Sequence, residues 1–300
     1  MRIGVMVSET YEEVYGKRLG ELGFDELYRM TKNTIEYLRE LGIECYEFCV
    51  EDCGTLVRLI RVLDRLDVDS SCIQIHDTEN SVRLAYRNPE IREKAVEELK
   101  AIIEAVSDNN IEIVTIHPPY FRPPFKNYEP SPHVEKSLEY SEAYREMILN
   151  LKKISSYAHK RSVVLGLENM NFFHIEGNKV MISAHFGRNS REILDILSKV
   201  NNASLKVTFD IGHANLTQEK PEGFYSKTAE LVVNIHVNNN YGKRDNHYPL
   251  SRGIIDFKKV FTLIAEKGYK GSVIIERSCD NYITEDIAIL KKYLLSMTGF

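Results

Sequence analysis

A chain of 300 residues that is 43% hydrophobic and 28% charged can bury a large core. Its formal net charge of −5 gives no support to a broad nucleic-acid footprint. No apolar run approaches the roughly 20 residues of a bilayer span, which excludes a helical membrane protein at the sequence level.

Taken in chain order, the first apolar run is Ile3–Val7. Ser8 and Glu9 interrupt it at once, so it reads as a strand rather than a secretory signal, and the expected location is cytoplasmic. Residues 8–25 exceed a normal βα connection and are expected to form a lid or an extra helix. A helical stretch then ends in YLRELG, with Gly42 suited to a helix C-terminus, and Ile43–Cys49 reads as the second strand. The five cysteines (Cys45, Cys49, Cys53, Cys72 and Cys279) are odd in number, and the first three lack C-x-x-C spacing. They are read as buried free thiols.

Cys72–His76 is the third strand and Ile111–His117 the fourth. Between them a helix is expected from Pro89, with a stripe of Ile91, Ala95, Leu99, Ile102 and Val106. A second stripe, Tyr144, Met147, Ile148, Leu151, Ile154 and Ala158, precedes the fifth strand, Val163–Glu168. The remaining strands are Leu205–Asp210, Leu231–His236 and Ser272–Glu276, followed by a stripe of Ile283, Ile287, Leu290, Leu294 and Met297. Near-continuous apolar strands suit a sheet covered by helices. Eight of them alternating with helices predict an α/β fold, a single (β/α)8 TIM barrel spanning residues 1–300. A doubly wound open sheet would usually carry a glycine-rich phosphate turn after its first strand, and VSETYEEVYG is not one.

The strand ends carry the chemistry. Strands three to eight end at His76, His117, Glu168, Asp210, His236 and Glu276, with His213 three residues after Asp210. A parallel barrel gathers such ends on one rim. Carboxylates half-buried among imidazoles cost several kcal/mol unless paired or bound to a cation, and this donor mixture suits first-row divalent ions. Asp245 and His247, in the loop after strand seven, are either further ligands or part of a solvated loop. His133 and His159 are expected on the surface of the helix between strands four and five, and His174 and His185 in a long loop after Glu168.

The set Glu168-Asn169, Asp210-Ile211-Gly212-His213, His236, Asp245-Asn246-His247 with Gly253-Ile254-Ile255-Asp256, and Glu276 resembles the xylose isomerase-like barrel superfamily. That superfamily includes sugar and sugar-phosphate isomerases and epimerases, and the endonuclease IV family of abasic-site nucleases. In the epimerase branch the resemblance implies one divalent metal (Mn, Co, Mg or Zn) held by Glu168, Asp210, His236 and Glu276, with His213 beside metal or substrate. Glu168 and Glu276 would then exchange the proton next to a carbonyl. The implied substrate is a small sugar, with Asn169, His213, Lys243 and Arg244 as candidate contacts; Arg122 and Lys126 also lie on rim loops where a phosphate would bind. A homodimer is the implied assembly.

In the nuclease branch the resemblance implies up to three zinc ions. Their ligands would be His76, His117, Glu168, Asp210, His213, His236, Asp245, His247 and Glu276, and nucleic acid would be the partner. The sequence departs from that branch after the third strand, where His76-Asp77-Thr78-Glu79-Asn80 lacks an aromatic residue and adds a negative charge. At the fourth strand, His117-Pro118-Pro119 replaces the usual glycine after the first proline. The loops 8–25, 119–132 and 170–188 are where substrate specificity is expected.

Overall fold

The computed structural model describes residues 1–297, apart from the side chains of Val14 and 295–297, so the side chain of Met297 in the third predicted stripe is not described. Eight strands close into a barrel: β1 (Arg2–Met6), β2 (Cys45–Val50), β3 (Ile73–Asp77), β4 (Ile113–Ile116), β5 (Val164–Glu168), β8 (Leu205–Asp210), β9 (Val232–Val237) and β10 (Ser272–Ile275). The order around it is β1-β10-β9-β8-β5-β4-β3-β2, with every neighbouring pair parallel. The gap in numbering is an antiparallel hairpin, β6 (Phe173–Glu176) and β7 (Lys179–Ile182), outside the barrel. It replaces the continuous 170–188 loop expected from sequence. Gly177, at φ 58°, makes the turn that a side-chain-bearing residue would disfavour.

The helical wall follows from local signals. α2 (Phe24–Glu40) is followed by Gly42 at φ 75°, as the YLRELG reading expects. α3 (Cys53–Arg65) is capped by Asp52, which accepts from Thr55 N at 2.8 Å. α4 (Pro89–Asp108) starts with proline in its first turn, behind Asn88, which accepts from Glu90 N at 2.9 Å. Its stripe is buried from Ala95 to Val106, whereas Ile91, in the first turn, stays exposed. α6 (Tyr140–His159) buries Met147, Leu151, Ile154 and Ala158. α11 (Ile283–Met297) buries Ile283, Ile287 and Leu290. Residues 8–25 supply the extra helix, α1 (Val7–Tyr15), which takes Val7 out of the first strand. Among the described residues no helix is long and apolar enough to cross a membrane.

Period-two alternation separates two interiors. On β2, Tyr46, Phe48 and Val50 join the apolar layer between strands and helices. Cys45 and Cys49 pack inside with Met6 and Ile274 as a small apolar patch along the β10-β1-β2 side of the lumen. Around that patch the lumen is polar: Glu47, Gln74, Thr115, Thr208 and Asn234 are all buried. Thr115 Oγ1 meets Thr208 Oγ1 at 3.1 Å across the lumen. Gly166 makes room there, since a Cβ would lie 2.2 Å from Thr208 Oγ1. All five cysteines are free, but only Cys45 is fully buried, a partial correction to the thiol reading: Cys53 opens α3, and Cys72 and Cys279 lie in connections.

Candidate metal centre

Each barrel strand presents its last inward residue to the rim, and the chemistry collects in that layer. His236 on β9 lies at its middle. Its Nδ1 is 3.3 Å from Glu168 Oε1 and 3.5 Å from Glu276 Oε2. One donor atom each from His76, Glu168, His236 and Glu276 lies within 4.8 Å of the others. Asp210 caps the short helix α8 (Ile211–Asn215) by accepting from His213 N. Its other oxygen accepts from Asn238 Nδ2 at 3.1 Å, and that amide also reaches Glu276 Oε2 at 3.3 Å. His117, just past β4, sets Nε2 3.2 Å from Glu168 Oε2 and 3.0 Å from His76 Nε2.

A second group stands beside the first. His213 Nε2 lies 2.8 Å and His247 Nε2 3.2 Å from the same oxygen, Asp245 Oδ2. The opposite ring nitrogens face carbonyl oxygens: His213 Nδ1 is 2.9 Å from Asn169 O, and His247 Nδ1 is 3.0 Å from Glu276 O. Each of these rings therefore has an acceptor at both nitrogens, a carbonyl at Nδ1 and a carboxylate at Nε2, so without a cation it is suited to carry two protons, and an ion at Asp245 would take the place of the Nε2 proton. The loop is tied down by an asparagine run. Asn239 pairs its backbone with Tyr248, and its Nδ2 donates to Leu250 O at 2.8 Å. Asn240 Nδ2 donates to Gly212 O at 2.9 Å.

Charge balance tests whether a cation suits these residues. Burial would raise the Glu168 carboxyl, yet His236, together with hydrogen bonds from His117 and His213, holds it well below the carboxylate range. Burial would likewise raise Glu276, but His236 and His247 bring it down to about 2. Asp210 goes the other way: burial, with Glu276 and Glu168 nearby, outweighs His213 and lifts its carboxyl well above the usual range. Burial opposes charge on His76, His213, His236 and His247, but facing carboxylates, with Cys49 beside His76, push all four well above the ordinary imidazole value. Without a cation the cluster must therefore balance its carboxylates with protons. Asp245 Oδ1 is buried without a hydrogen bond, and Glu168 Oε2 is faced by the ring nitrogens of His76 and His117, at 3.2 Å each. Acidic oxygens of this kind among imidazoles fit a divalent ion.

The structure brings all nine sequence-predicted ligand positions into this rim cluster. The substrate contacts fare differently. The Asn169 amide is engaged by the Asp210 backbone, donating to its O and accepting from its N at 2.9 Å each, so it clamps β5 to β8 instead of facing the lumen. Arg244 lines a cavity of about 490 Å³, but its guanidinium lies 3.3 Å from Glu176 on the hairpin. Lys243 and Lys126 are exposed, and Arg122 lies 3.9 Å from Glu139. His133 is on a separate short helix, α5 (Pro132–Lys136), hydrogen-bonded to Tyr86. His159 ends α6, exposed as expected. His174 is on β6, and His185 is buried against Tyr120 with its imidazole pushed well down by burial and His117.

Sequence reasoning missed Glu47, Asn238 and Glu9. Glu47 is buried in the lumen beside His236. Glu9 lines a second cavity of about 190 Å³ with Glu12, Arg18, Cys49, Glu51 and Glu79, and burial raises its carboxyl. The available signal was a charge at an inward position of CYEFCV, where period-two alternation puts Glu47 in register with Cys45 and Cys49.

Comparison with known proteins agrees with this architecture. An uncharacterized protein of Methanocaldococcus jannaschii is 28% identical over 270 residues, covering 87% of this chain and 84% of its own. An inosose dehydratase of Clostridium beijerinckii is 23% identical over 148 residues, covering 42% of this chain and 50% of its own. Among solved structures, a D-tagatose 3-epimerase-like protein superposes with a TM-score of 0.75 at 25% identity, over 99% of this chain and 98% of its own. The D-psicose 3-epimerase of Clostridium cellulolyticum H10, solved with D-tagatose, gives 0.65 at 15% identity, over 99% of this chain and 95% of its own. The family model described as xylose isomerase-like TIM barrel matches residues 35–293. The chain therefore belongs to the xylose isomerase-like TIM barrel family.

Proposed function

We propose that this protein is a divalent-metal-dependent epimerase or isomerase of a small sugar. The observation that carries the reading is the pair of buried carboxylates, Glu168 and Glu276, flanking His236 Nδ1 at 3.3 and 3.5 Å at the barrel mouth. The names of the similar structures, a D-tagatose 3-epimerase-like protein and a D-psicose 3-epimerase, support the same reaction class.

Glu168, Asp210, His236 and Glu276 would hold the ion. A bound divalent ion supplies Lewis-acid polarisation of a sugar carbonyl, a contribution of several kcal/mol. Glu168 stays ionised under the imidazole charges and is suited to take the proton next to that carbonyl. Inversion would need Glu276, ionised in the metal-free protein, to carry a proton in the loaded enzyme: it would give that proton to the opposite face while Glu168 keeps the one it took, and the pair would reset by exchange with water. Return of the same proton along the chain gives isomerisation instead. His213 and Asp245 line the 490 Å³ cavity and would face the rest of the sugar. Turnover of free ketohexoses by protein reloaded with Mn²⁺ or Co²⁺ tests the assignment; no turnover of any ketose by metal-loaded protein would overturn it.

One observation favours a second reading, phosphodiester hydrolysis by a metal cluster: the complete His213–Asp245–His247 group beside the first. Glu79, on the rim of the smaller cavity, opposes approach of a phosphate backbone. Three zinc ions per chain by elemental analysis, with cleavage of a duplex containing one abasic site, would select this reading over the epimerase.

A further inference from the structure

Glu47 is a fully buried carboxylate in the barrel lumen, one layer below the candidate ligands. Its Oε1 lies 3.0 Å from His236 Nε2, and its Oε2 accepts from Asn234 Nδ2 at 2.9 Å. The other nitrogen of the same ring, Nδ1, faces Glu168 and Glu276. The imidazole is thus held between one carboxylate below and the candidate ion site above.

We propose that Glu47 is a positioning residue of the metal centre: it accepts the Nε2–H of His236 and so presents a bare Nδ1 to the ion. This rests on the metal-centre reading given under Proposed function. A bare Nε2 would point its lone pair at a carboxylate oxygen 3.0 Å away, so the proton belongs between them. The Asn234 amide, 3.1 Å from Nε2, does not replace this bond. Its Nδ2 gives one N–H to Glu47 Oε2, and giving the second to a bare Nε2 would still leave that lone pair facing Glu47 Oε1; reversing the amide would set Oδ1 against the same carboxylate. Two donors therefore converge on Glu47.

The neighbouring group shows the alternative device. His213 and His247 are oriented by neutral backbone carbonyls. A carboxylate in that role does more, because its charge also makes the ring a stronger donor to a cation. Glu47 Oε1 lies 3.8 Å from His76 Nδ1 as well, so its charge is felt by two of the clustered imidazoles.

Glu47→Gln keeps the shape and removes the charge. Calorimetric titration of the metal-free proteins with Mn²⁺ or Zn²⁺ should show about 10–100-fold weaker binding in the variant. Independently, long-range proton–nitrogen NMR of the wild-type protein, taken alkaline until its imidazoles are neutral, should find the His236 proton on Nε2. Unchanged affinity in a folded variant, or the wild-type proton on Nδ1, overturns the proposal. If the variant does not fold, the wild-type spectrum decides alone. If the wild type takes up no ion, the proposed function fails, while the position of the His236 proton still supports or refutes the role of Glu47.

Discussion

The two acidic–imidazole groups at the barrel mouth are built differently. Glu168, His236 and Glu276 stand at or just beyond the ends of paired strands and are buried. Their spacing is set by sheet register, which cannot slip by one residue without turning every side chain to the other face. His213, Asp245 and His247 come from a five-residue helix and a loop, and Asp245 and His247 are partly exposed. Their spacing depends on Asn239 and Asn240 holding the loop to the barrel. The comparison teaches that one rim can carry a centre fixed by the fold and another fixed by side-chain anchoring, so substitutions should separate them.

The largest expected effect is at the strand-borne centre. Glu168→Gln should lower sugar turnover by about 10²–10⁴-fold while the circular dichroism of the barrel is retained. Near-normal turnover would remove Glu168 from the mechanism. The loop-borne group is more sensitive to its anchor. A Cβ on Gly253 would lie 2.0 Å from Asn239 Oδ1 and 2.7 Å from Asn240 O. Gly253→Ala should cost about 1–3 kcal/mol in denaturant unfolding and displace Asp245 and His247. The strand-borne centre should keep its metal affinity in that variant, and a parallel loss at both centres would erase the distinction.

Proton balance gives a pH test. The folded values of His76, His213, His236 and His247 are raised. The stability they contribute to metal-free protein is complete below the unfolded imidazole value of about 6.5 and is lost as pH rises through the folded values. Glu168 and Glu276 are lowered, so their contribution is present above about 4.5 and is lost as pH falls through their folded values. Thermal unfolding of metal-free protein should therefore peak on the acid side of neutrality. Saturating metal should shift the optimum to higher pH, because protons and the cation compete for the same nitrogens. A metal-free optimum well above neutrality would contradict the charge balance. The smallest effect is expected at Arg244, whose pair with Glu176 is half-exposed on both sides. Arg244→Ala should change stability by at most about 1 kcal/mol and leave KM for an unphosphorylated sugar nearly unchanged.

The barrel and the rim chemistry were legible because both follow local periodicities. Apolar β-branched runs separated by amphipathic helices specify the alternation, and a polar residue ending each run falls at the mouth of a parallel barrel wherever the helices lie. The hairpin in 170–188 was not legible. FHIE and KVMI are short, mostly part-exposed and polar in places, so they lack the apolar signature that marked the barrel strands. The resemblance implies a substrate contact at Asn169, but the residue that follows the inward-facing Glu168 points to the opposite face, where its amide pairs with the Asp210 backbone.

By itself the sequence determined the architecture, the strand order of the ligands and the mixture of carboxylate and imidazole that suits a divalent ion. Tertiary structure alone decided which atoms meet. Glu47 and His236 are 189 residues apart, and nothing in the chain between them encodes a 3.0 Å contact. That contact exists because barrel closure brings inward positions of β2 and β9 into one lumen, where a buried charge must find its partner across space.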